Sequence, residues 1–449
     1  MRKMKDSGIA WIGSIPEDWA IRSLKFAIDA HSGGAWGSNE GGDEADVVCV
    51  RVADFDYAKL SVDFHDKMTI RSYTNKSIAE SSLKHGDILL EKSGGGEVTP
   101  VGRSVLFTGE EGMMCANFIE WLRTNNSFDP SFFNYWLAAA YINGFSKRNV
   151  KQTTGIQNLD IPAFLSEKIA APNVLTQKRI AEYIDVKCAE IDALIAAKEK
   201  TNTLLKERRQ SIIYEAVTKG LDPNAPMKDS GIEWIGEIPT DWDVCPVKYL
   251  LDKNHPYPIG DGDHGMIKAD DYLSEGIPYI RVLNLTWGDG LNLDTLVYIS
   301  EEMNDRIKNS ELKPNDILIA KTGATIGKTA IVPASLPRSN TTSHVGKITI
   351  SSDHDPKFFY YVMTSSIIQT QIKMLSAMQS TRPELGIDGL RNLLTVVPPV
   401  EKQREIAAYL DHQCTELNSA IATNASMIEK LKEYRQSVIY EAVTGKIEV

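Results

Sequence analysis

The chain has 449 residues, 42% hydrophobic and 24% charged, a composition typical of a globular protein with two to four domains. Its formal net charge of −11 argues against non-specific coating of nucleic acid, because such binding needs a broad Lys and Arg surface. DNA reading by local patches stays open. No apolar run is long enough to span a bilayer and no signal segment is visible, so we expect a cytoplasmic protein without a membrane partner.

Two nearly identical stretches, residues 4–19 and 227–242, open the two halves of the chain and share 13 of 16 residues. Gly, Pro and Asp at fixed places predict a turn-rich conformation in which Trp and Ile fill a groove. We expect these openings to pack against long helices; an aromatic peptide-binding site is the alternative.

The segment after each opening differs between the halves but keeps the same order of predicted elements. Short buried strands come first, then a strand, glycine-rich turn and strand that predict a hairpin. An amphipathic helix and a polar loop follow. In the first and second half these are strands at 48–55 and 278–285, hairpins at 86–107 and 315–332, helices at 132–145 and 357–372, and loops at 147–160 and 377–390.

A second repeat, residues 172–220 and 398–446, recurs with an offset of 226. Apolar residues seven positions apart predict a long helix with one apolar seam in each copy, and each copy is the natural partner of the other. Both seams are interrupted by a polar residue, Lys198 or Asn424, which would help to fix register. The seam residues are Ile184, Ile191, Leu205, Ile212, Leu410, Leu417, Leu431 and Val438.

The five cysteines contain no CxxC pair, so neither a zinc site nor a disulfide framework is predicted. Cys188 and Cys414 fall at the same repeat position and are expected to be small buried hydrophobes.

Two partial matches to enzyme motifs fail. GATIGKT at residues 323–329 has the wrong glycine spacing for a P-loop and precedes a strand-like segment, whereas a P-loop needs a helix. NHPYP at residues 254–258 has the wrong residue order for an amino-methyltransferase motif. The histidines form no HxxxH or HEXXH cluster, so nothing predicts catalysis by this chain alone.

Several repeated motifs together point to one family. They are the SGIxWIGxIPxDW openings, the GDIL and NDIL strands with their glycine-rich turns, the TGIQNL loop, the helix starts at Gln177 and Gln403, and the RQSIIYEAVT and RQSVIYEAVT helix ends. In all of these the chain resembles the specificity (S) subunits of type I restriction-modification systems, over essentially its whole length. It departs from the pattern where the second loop reads STRPELGIDGL and where Lys328 has no counterpart.

The resemblance implies a mixed α+β fold with two globular α/β target-recognition domains. They would be separated by two long antiparallel conserved helices, a coiled coil with an internal pseudo-two-fold repeat. The implied boundaries are 1–171 and 223–397 for the recognition domains and 172–222 and 398–449 for the helical spacers.

The resemblance also implies a non-catalytic subunit in which each domain recognises one half of a bipartite, asymmetric sequence in double-stranded DNA. Two modification (M) subunits would dock on the helices and use S-adenosylmethionine for adenine N6 methylation. Restriction (R) subunits would use ATP and Mg for translocation and cleavage, so no cofactor and no metal is expected in this chain.

A helix of about 40 residues is roughly 60 Å long, so the helices could act as a ruler between the domains. We hypothesise that deleting four residues from one helix would shorten the spacer by about 6 Å. The unread gap would then contract, or activity would be lost.

DNA contacts are expected where turns project polar and basic side chains, because Arg, Lys, Asn and Gln read base edges while Ser, Thr and other lysines hold phosphates. The glycines Gly94, Gly95, Gly323 and Gly327 are expected to serve turn geometry. The candidate DNA contacts are Lys92, Ser93, Arg103, Lys147, Arg148, Lys151, Gln152 and Thr153 in the first domain, and Lys321, Thr322, Lys328, Arg338, Asn340, Thr341, Thr342 and Arg382 in the second.

Two other classes of function remain open on the sequence. One is a coiled-coil scaffold whose variable domains do not read DNA. The other is a stand-alone enzyme, against which the failed motif searches are the main argument.

Overall fold

The computed structural model describes residues 2–42, 44–153, 155–288, 290–377 and 384–449. The chain forms two compact units, one of residues 1–197 with 427–449 and one of residues 198–426. Each long helix is thus divided between the units, whereas the implied boundaries set whole helices apart as spacers; those boundaries stay a prediction. None of the described helices is long and apolar enough to cross a membrane.

The first unit is built mainly of short strands. Its elements are β1 (Met4–Asp6), β2 (Ser14–Pro16), β3 (Ala20–Ser23), β4 (Ile28–Gly33), β5 (Asp46–Val50), β6 (Phe55–Asp56), β7 (Ser61–Val62), β8 (Ile70–Ser72), α1 (Asn75–Ser81), β9 (Ile88–Glu91), β10 (Ser93–Gly94), β11 (Ser104–Leu106), β12 (Met114–Cys115), β13 (Ile119–Thr124), α2 (Pro130–Ile142), β14 (Val150–Thr153), β15 (Ile156–Leu159), α3 (Ile161–Ser166) and β16 (Lys168–Ala171), followed by the long helix α4 (Val174–Lys219).

The second half of the chain repeats much of this order. Its elements are β17 (Met227–Asp229), β18 (Glu237–Pro239), β19 (Asp243–Pro246), β20 (Ile259–Asp261), β21 (Ile277–Ile280), β22 (Val297–Ile299), α5 (Glu301–Arg306), β23 (Ile317–Ala320), β24 (Thr329–Ile331), β25 (Asn340–Thr341), β26 (Val345–Ile348), α6 (Pro356–Thr364), α7 (Ser366–Ala377), α8 (Ile387–Arg391), β27 (Leu394–Val397) and the long helix α9 (Val400–Val443).

The largest sheet of the first unit has the strand order β4-β13-β9-β11-β7-β6. Strand β9 is buried along its whole length and pairs antiparallel with β11, with Leu89 opposite Val105. The hairpin predicted at residues 86–107 is therefore confirmed. The helix predicted at 132–145 is α2, where Asp129 accepts a hydrogen bond from the Phe132 N–H and Pro130 occupies the first turn, both typical helix-start signals.

The corresponding sheet of the second unit has the order β20-β26-β23-β24. Strands β23 and β24 pair antiparallel, so the second predicted hairpin is also confirmed. The helix predicted at 357–372 is in fact two helices that break at Ser365, whose backbone is extended. The hydroxyls of Thr364 and Ser365 donate to the carbonyls of Tyr361 and Val362, and this side-chain competition for helical carbonyls favours a break.

The tryptophan-containing openings pack against the long helices, as predicted. In the first unit Trp11 lies 5.3 Å from Trp136 and 6.1 Å from Tyr440 of α9, measured between ring centroids. The Tyr440 hydroxyl donates to the Trp11 carbonyl at 3.1 Å. In the second unit a Cβ on Gly220, just beyond α4, would lie 3.3 Å from the ring of Trp242, so this opening meets the end of α4.

The two long helices begin in the same way. The Gln177 carboxamide accepts the Asp129 N–H at 2.9 Å, and the Gln403 carboxamide accepts the Asp355 N–H at 2.8 Å. Both glutamines are buried, and each ties its long helix to the start of α2 or α6. The glutamines that mark the helix starts in the sequence therefore fasten each long helix to a shorter helix through buried hydrogen bonds.

Within the second unit the two long helices run antiparallel. Lys198 Nζ donates to Asn424 Oδ1 at 3.2 Å, and Arg209 binds the Asn418 carboxamide. From the first contact to the second, the residue number on α4 rises from 198 to 209 while that on α9 falls from 424 to 418, as antiparallel pairing requires. The two polar residues that interrupt the seams in the sequence thus contact each other.

The first unit contains the counterpart of the Arg209 contact, because Arg435 Nε donates to Asp192 Oδ1 at 3.0 Å and both positions are shifted by 226. The predicted seam side chains lie at least partly away from solvent in both units. Those that are buried are Ile184, Ile191, Ile212, Leu410 and Val438, and those of intermediate exposure are Leu205, Leu417 and Leu431. Cys188 and Cys414 are buried thiols, as predicted.

Candidate nucleic-acid interface

A small three-stranded sheet of order β10-β15-β14 brings together distant parts of the first unit. Asn158 is opposite Ser93 on one side and Lys151 on the other. The Ser93 hydroxyl donates to Asn158 Oδ1 at 2.7 Å. Directly opposite residues of antiparallel strands share a face, so three polar side chains line up across this sheet.

Gln152 follows Lys151 on β14 and is exposed, as is Asn158. Of the predicted contacts, Ser93, Lys151 and Gln152 are therefore collected on one small sheet. Asn158 was missed, although it belongs to the TGIQNL loop that the sequence singles out. Thr153 ends β14, but its side chain lies outside the described residues, while Lys147 and Arg148 are exposed on a preceding 3-10 turn.

Three predicted basic side chains of the first unit are paired with carboxylates. Lys92 Nζ lies 3.0 Å from Glu120 Oε2, and Lys151 Nζ lies 2.5 Å from Asp160 Oδ2. Arg103 Nε lies 3.0 Å from Glu91 Oε2. Because these carboxylates neutralise the three basic side chains, a DNA phosphate would have to compete with the carboxylates for them.

Arg103 also lies against an aromatic ring, with its guanidinium carbon 3.7 Å from the Tyr57 centroid. The Tyr57 hydroxyl donates to Glu91 Oε2 at 3.1 Å. Burial and the neighbouring Glu91 charge raise the pKa of Tyr57, so the phenol stays protonated as a donor. Arg103 is therefore held in place by two neighbours.

The glycines that were predicted to shape the turns do so. Gly94, Gly323 and Gly327 have positive φ angles of 123°, 71° and 88°, a region that side-chain-bearing residues rarely adopt. A Cβ on Gly95 would lie 2.7 Å from the Val101 backbone nitrogen. The GATIGKT segment is a short 3-10 turn followed by β24, so the hairpin interpretation of this segment is confirmed.

Several predicted contacts of the second unit lie in the interior, so the expectation that they project from the surface is wrong. Lys321 is buried against Asp261, and Thr322 is buried with its hydroxyl 3.1 Å from His344 Nδ1. Thr342 is also buried. Lys321 is directly continuous with the buried strand β23, which explains why its side chain points into the unit.

Asn340 and Thr341 are fully buried as strand β25. The Asn340 side chain donates to Asn304 Oδ1 at 2.8 Å and accepts from the Ser310 hydroxyl at 2.6 Å. The Thr341 hydroxyl donates to the Ile280 carbonyl at 2.9 Å. These partners come from distant positions in the chain, so the local polar run suggests a surface loop where there is a buried strand.

Arg338 is exposed but belongs to a cluster of three carboxylates. Its guanidinium nitrogens lie 2.8 Å from Glu301, 3.4 Å from Asp305 and 2.9 Å from Glu311. Hydrogen bonding to Glu311 raises the pKa of Arg338, and the pKa of Glu311 is lowered in turn. The charge of Arg338 is therefore neutralised by carboxylates of its own unit, without a DNA phosphate. Lys328 is half-buried, and Arg382 lies outside the described residues.

The two units place different side chains on the same backbone pairing. The Leu159 N–H donates to the Lys92 carbonyl at 2.8 Å, and the Leu385 N–H donates to the Lys321 carbonyl at 2.7 Å. The residue before each leucine is paired with the residue after each lysine, which gives Asn158 with Ser93 and Glu384 with Thr322. Asn suits an adenine edge, and Glu can accept from cytosine N4.

Among the residues that the structure describes, no three His, Cys, Asp or Glu side chains are grouped so as to hold a metal ion. The polar side chains of the small sheet offer hydrogen-bond donors and acceptors.

Comparisons with known proteins agree with this picture. The family model described as "Type I restriction modification DNA specificity domain" matches residues 260–426. The chain is 24% identical to the type I restriction enzyme MjaVIII specificity subunit of Methanocaldococcus jannaschii, covering 84% of this chain and 82% of the relative. It is 26% identical to the type I restriction enzyme EcoBI specificity subunit of Escherichia coli, covering 72% and 66%.

A chain from a solved structure, concerned with complex assembly and conformational transition of the type I R-M system, has a similar fold. The TM-score is 0.69 at 14% identity, and the match covers 96% of this chain and 99% of that one. The likeness supports the mixed fold with two globular domains and two long helices.

Proposed function

We propose that this chain, which belongs to the specificity subunits of type I restriction-modification systems, selects the DNA sequence on which its complex acts. Each unit would recognise one half of a bipartite, asymmetric target. The observation that carries this proposal is the shared backbone pairing with different exposed side chains, Asn158 in one unit and Glu384 in the other. Two equivalent but differently lined domains are what an asymmetric target requires.

The proposal is tested by single-molecule methylation sequencing of the host genome, with and without this gene. We expect a bipartite adenine-methylated motif that disappears when the gene is deleted. If the complete complex binds randomised duplexes without any sequence preference, the chain is a coiled-coil scaffold and the proposal is wrong.

The chemical steps are assigned to other subunits. S-adenosylmethionine would be bound by the modification subunits, and ATP with Mg by the restriction subunits, in the cytoplasm. In the first unit Lys92, Arg103 and Lys151 are each engaged in an ion pair with a carboxylate of the same unit.

Replacing Gln152 and Asn158 by alanine should relax recognition of one half of the target and leave the other half unchanged. Both are exposed amides of the small sheet of the first unit, Asn158 on the face that it shares with Lys151 and Gln152 on the other face. A base-reading amide is worth about 1–3 kcal/mol of discrimination. Affinity for the target should fall about 10-fold for each such contact, measured by selection from randomised duplexes. Gln210, an exposed glutamine on α4, is the matched control, and its alanine variant should keep the full motif.

The modification subunits would dock on the long helices, and exposed apolar side chains support this. In the first unit Leu194 of α4 and Tyr434 of α9 are each more than half exposed. They flank the Arg435–Asp192 ion pair in sequence. Exposed apolar side chains that lie together mark protein interaction sites, and tyrosine is enriched among the residues that anchor such interfaces.

Changing Leu194 and Tyr434 to glutamate should therefore abolish co-purification of the modification subunits, with at least a tenfold loss of recovered complex. Phe26→Glu is the matched control, because Phe26 is equally exposed on the globular part of the same unit. The circular dichroism spectrum should not change. Full recovery of the complex with the double variant would place the docking surface elsewhere.

A further inference from the structure

A lysine, a carboxylate and a histidine form a cluster beside the glycine-rich turn of the first unit. Lys92 Nζ lies 3.0 Å from Glu120 Oε2, and His31 Nδ1 lies 2.8 Å from Glu120 Oε1. The carboxylate is buried, whereas 42% of the His31 side chain is exposed. One carboxylate therefore serves two basic groups, each through its own oxygen.

The second unit builds the same cluster from other residues. Lys321 is paired with Asp261 Oδ2, and His264 Nε2 lies 3.2 Å from Asp261 Oδ1. Again the carboxylate is largely buried and the histidine is exposed, with 68% of the His264 side chain accessible. Again each basic group has one carboxylate oxygen.

The strand register shows that the two lysines are equivalent. Lys92 follows β9 and Lys321 follows β23, the central strand of each sheet. In the first unit Glu120 of β13 is opposite Leu90, the second residue before the lysine. In the second unit Gly346 of β26 is opposite Ile319, again the second residue before the lysine.

The carboxylates occupy opposite members of one cross-strand pair. Glu120 is opposite Gly33 of β4, and Gly346 is opposite Asp261 of β20. The carboxylate residue is therefore on β13 in the first unit and on β20 in the second, and in each unit a glycine occupies the opposite position of the pair. A Cβ on Gly33 would lie 2.1 Å from Lys92 Nζ, so the glycine leaves room for the lysine.

The histidines come from different elements, His31 from β4 and His264 from the turn after β20. The two units have therefore built the same three-group arrangement from different strands and turns. An interior ion pair alone would need no histidine. The shared feature that reaches solvent is the imidazole, which the carboxylate orients by accepting a hydrogen bond from one ring nitrogen. In its protonated form the ring can also donate through the other nitrogen.

We propose that both clusters bind phosphates of the DNA backbone, with His31 and His264 as the phosphate ligands. With its histidine protonated, such a cluster has two cationic groups for one carboxylate, and a phosphate complements it. The thiol of Cys115, close to Lys92 and Glu120, adds no charge because burial raises its pKa. In the second unit Asp263 is held by the backbone N–H groups of Gly265 and Ile267.

This inference rests on the proposed function, since it names how both units grip the duplex irrespective of the bases each one reads. Contacts to phosphates fix the position of a protein on DNA and weaken binding to all sequences equally when removed. The same contact in both units therefore fits two domains that recognise different sequences.

The test uses His31→Asn and His264→Gln in the full-length chain, co-expressed with its modification subunits. Asn reproduces the position of Nδ1 and Gln that of Nε2, so each variant keeps its bond to the carboxylate and loses the outer nitrogen. Affinities for the target duplex and for a random duplex of equal length are measured across a salt series. We expect both to fall about 3- to 10-fold, with the same preferred sequence and a shallower salt dependence, since one phosphate contact is lost.

His65→Gln is the matched control. His65 is 41% exposed, and its Nε2 lies 3.6 Å from the buried Asp54. It follows β7, which lies toward the opposite edge of the sheet from β4, and Asn284 takes the corresponding place of Asp54 in the second unit. This variant should bind both duplexes as the wild type does.

Each result decides between the hypotheses. If the two variants bind both duplexes within twofold of wild type, or if they change the preferred sequence, the phosphate assignment is wrong while the proposed function stands. If the wild type itself shows no sequence preference, the proposed function fails whatever the variants do. Thermal melting of His31→Asn and His31→Ala serves as the folding control. His31→Ala also loses the bond to Glu120, so a fall in melting temperature in His31→Ala alone shows that the weaker DNA binding of His31→Asn does not come from unfolding.

Discussion

Removal of one heptad from each long helix, residues 195–201 together with 421–427, is expected to shorten the unread gap of the target by about three base pairs. Seven helical residues span about 10 Å, and B-DNA rises 3.4 Å per base pair along each strand. A whole heptad keeps the apolar seam in phase. The deletion takes out the layer of Lys198 and Asn424 and leaves the other polar contacts in place. Methylation sequencing reads the gap directly.

The paired design follows from the antiparallel register. When the seam residues are paired outward from the Lys198–Asn424 contact, from Ile184 with Val438 to Ile212 with Leu410, the two residue numbers always add to the same value. Removing facing segments therefore keeps the remaining layers matched. An unchanged gap with full methylation activity would rule out a ruler function of the helices.

The one-sided deletion of four residues from α4 is the informative contrast. Four residues turn the helix by about 400°, so the seam beyond the deletion rotates by about 40°. The layers on one side also lose their partners. We expect this variant to lose methylation altogether, because the helix pair can no longer bury both seams.

Lys321→Met should strongly destabilise the second unit, by about 3–5 kcal/mol, because it leaves a buried carboxylate without its main partner. Lys321 and Asp261 are both largely buried and pair directly. Thermal melting of the full-length chain should show an early transition, and the complex should lose recognition of the second half of the target.

Two further variants separate folding from DNA contact. In Lys321→Met with Asp261→Asn the buried charge is removed together with its partner, and most of the lost stability should return. Lys328→Met, which replaces a half-buried lysine seven residues later, should melt like the wild type. If Lys321→Met melts normally yet lowers DNA affinity, Lys321 acts at the interface as the sequence first indicated.

The long helices and the hairpins were predictable because their signals are local and periodic. The seven-residue spacing of apolar residues from Ile184 to Ile212 recurs in the second copy, which identifies the second long helix as its packing partner. Glycines such as Gly94 and Gly323 mark the turns. The helix break at Ser365 was not predictable from periodicity, since the apolar pattern continues across it.

The candidate site was less accessible to sequence reasoning because burial depends on distant partners. The sequence suggests that Asn340 is a surface residue, but in the fold its buried carboxamide forms hydrogen bonds with Asn304 and Ser310. The equivalence of Glu120 and Asp261 is invisible in the sequence, since it exists only across paired strands. Asn158 could have been found, because it lies in a loop already recognised as a landmark.

The division of the last helix between the units has a consequence for synthesis of the protein. Ile180 and Ile184 of the first unit pack in the same cluster as Ile439 and Val443, which are made more than 240 residues after residue 197. At roughly 5–20 residues per second, the ribosome needs on the order of 10–50 s to supply them. During that interval Ile180 and Ile184 of the nascent first half lack these packing partners, so the first unit can complete its core only after the last helix has been made.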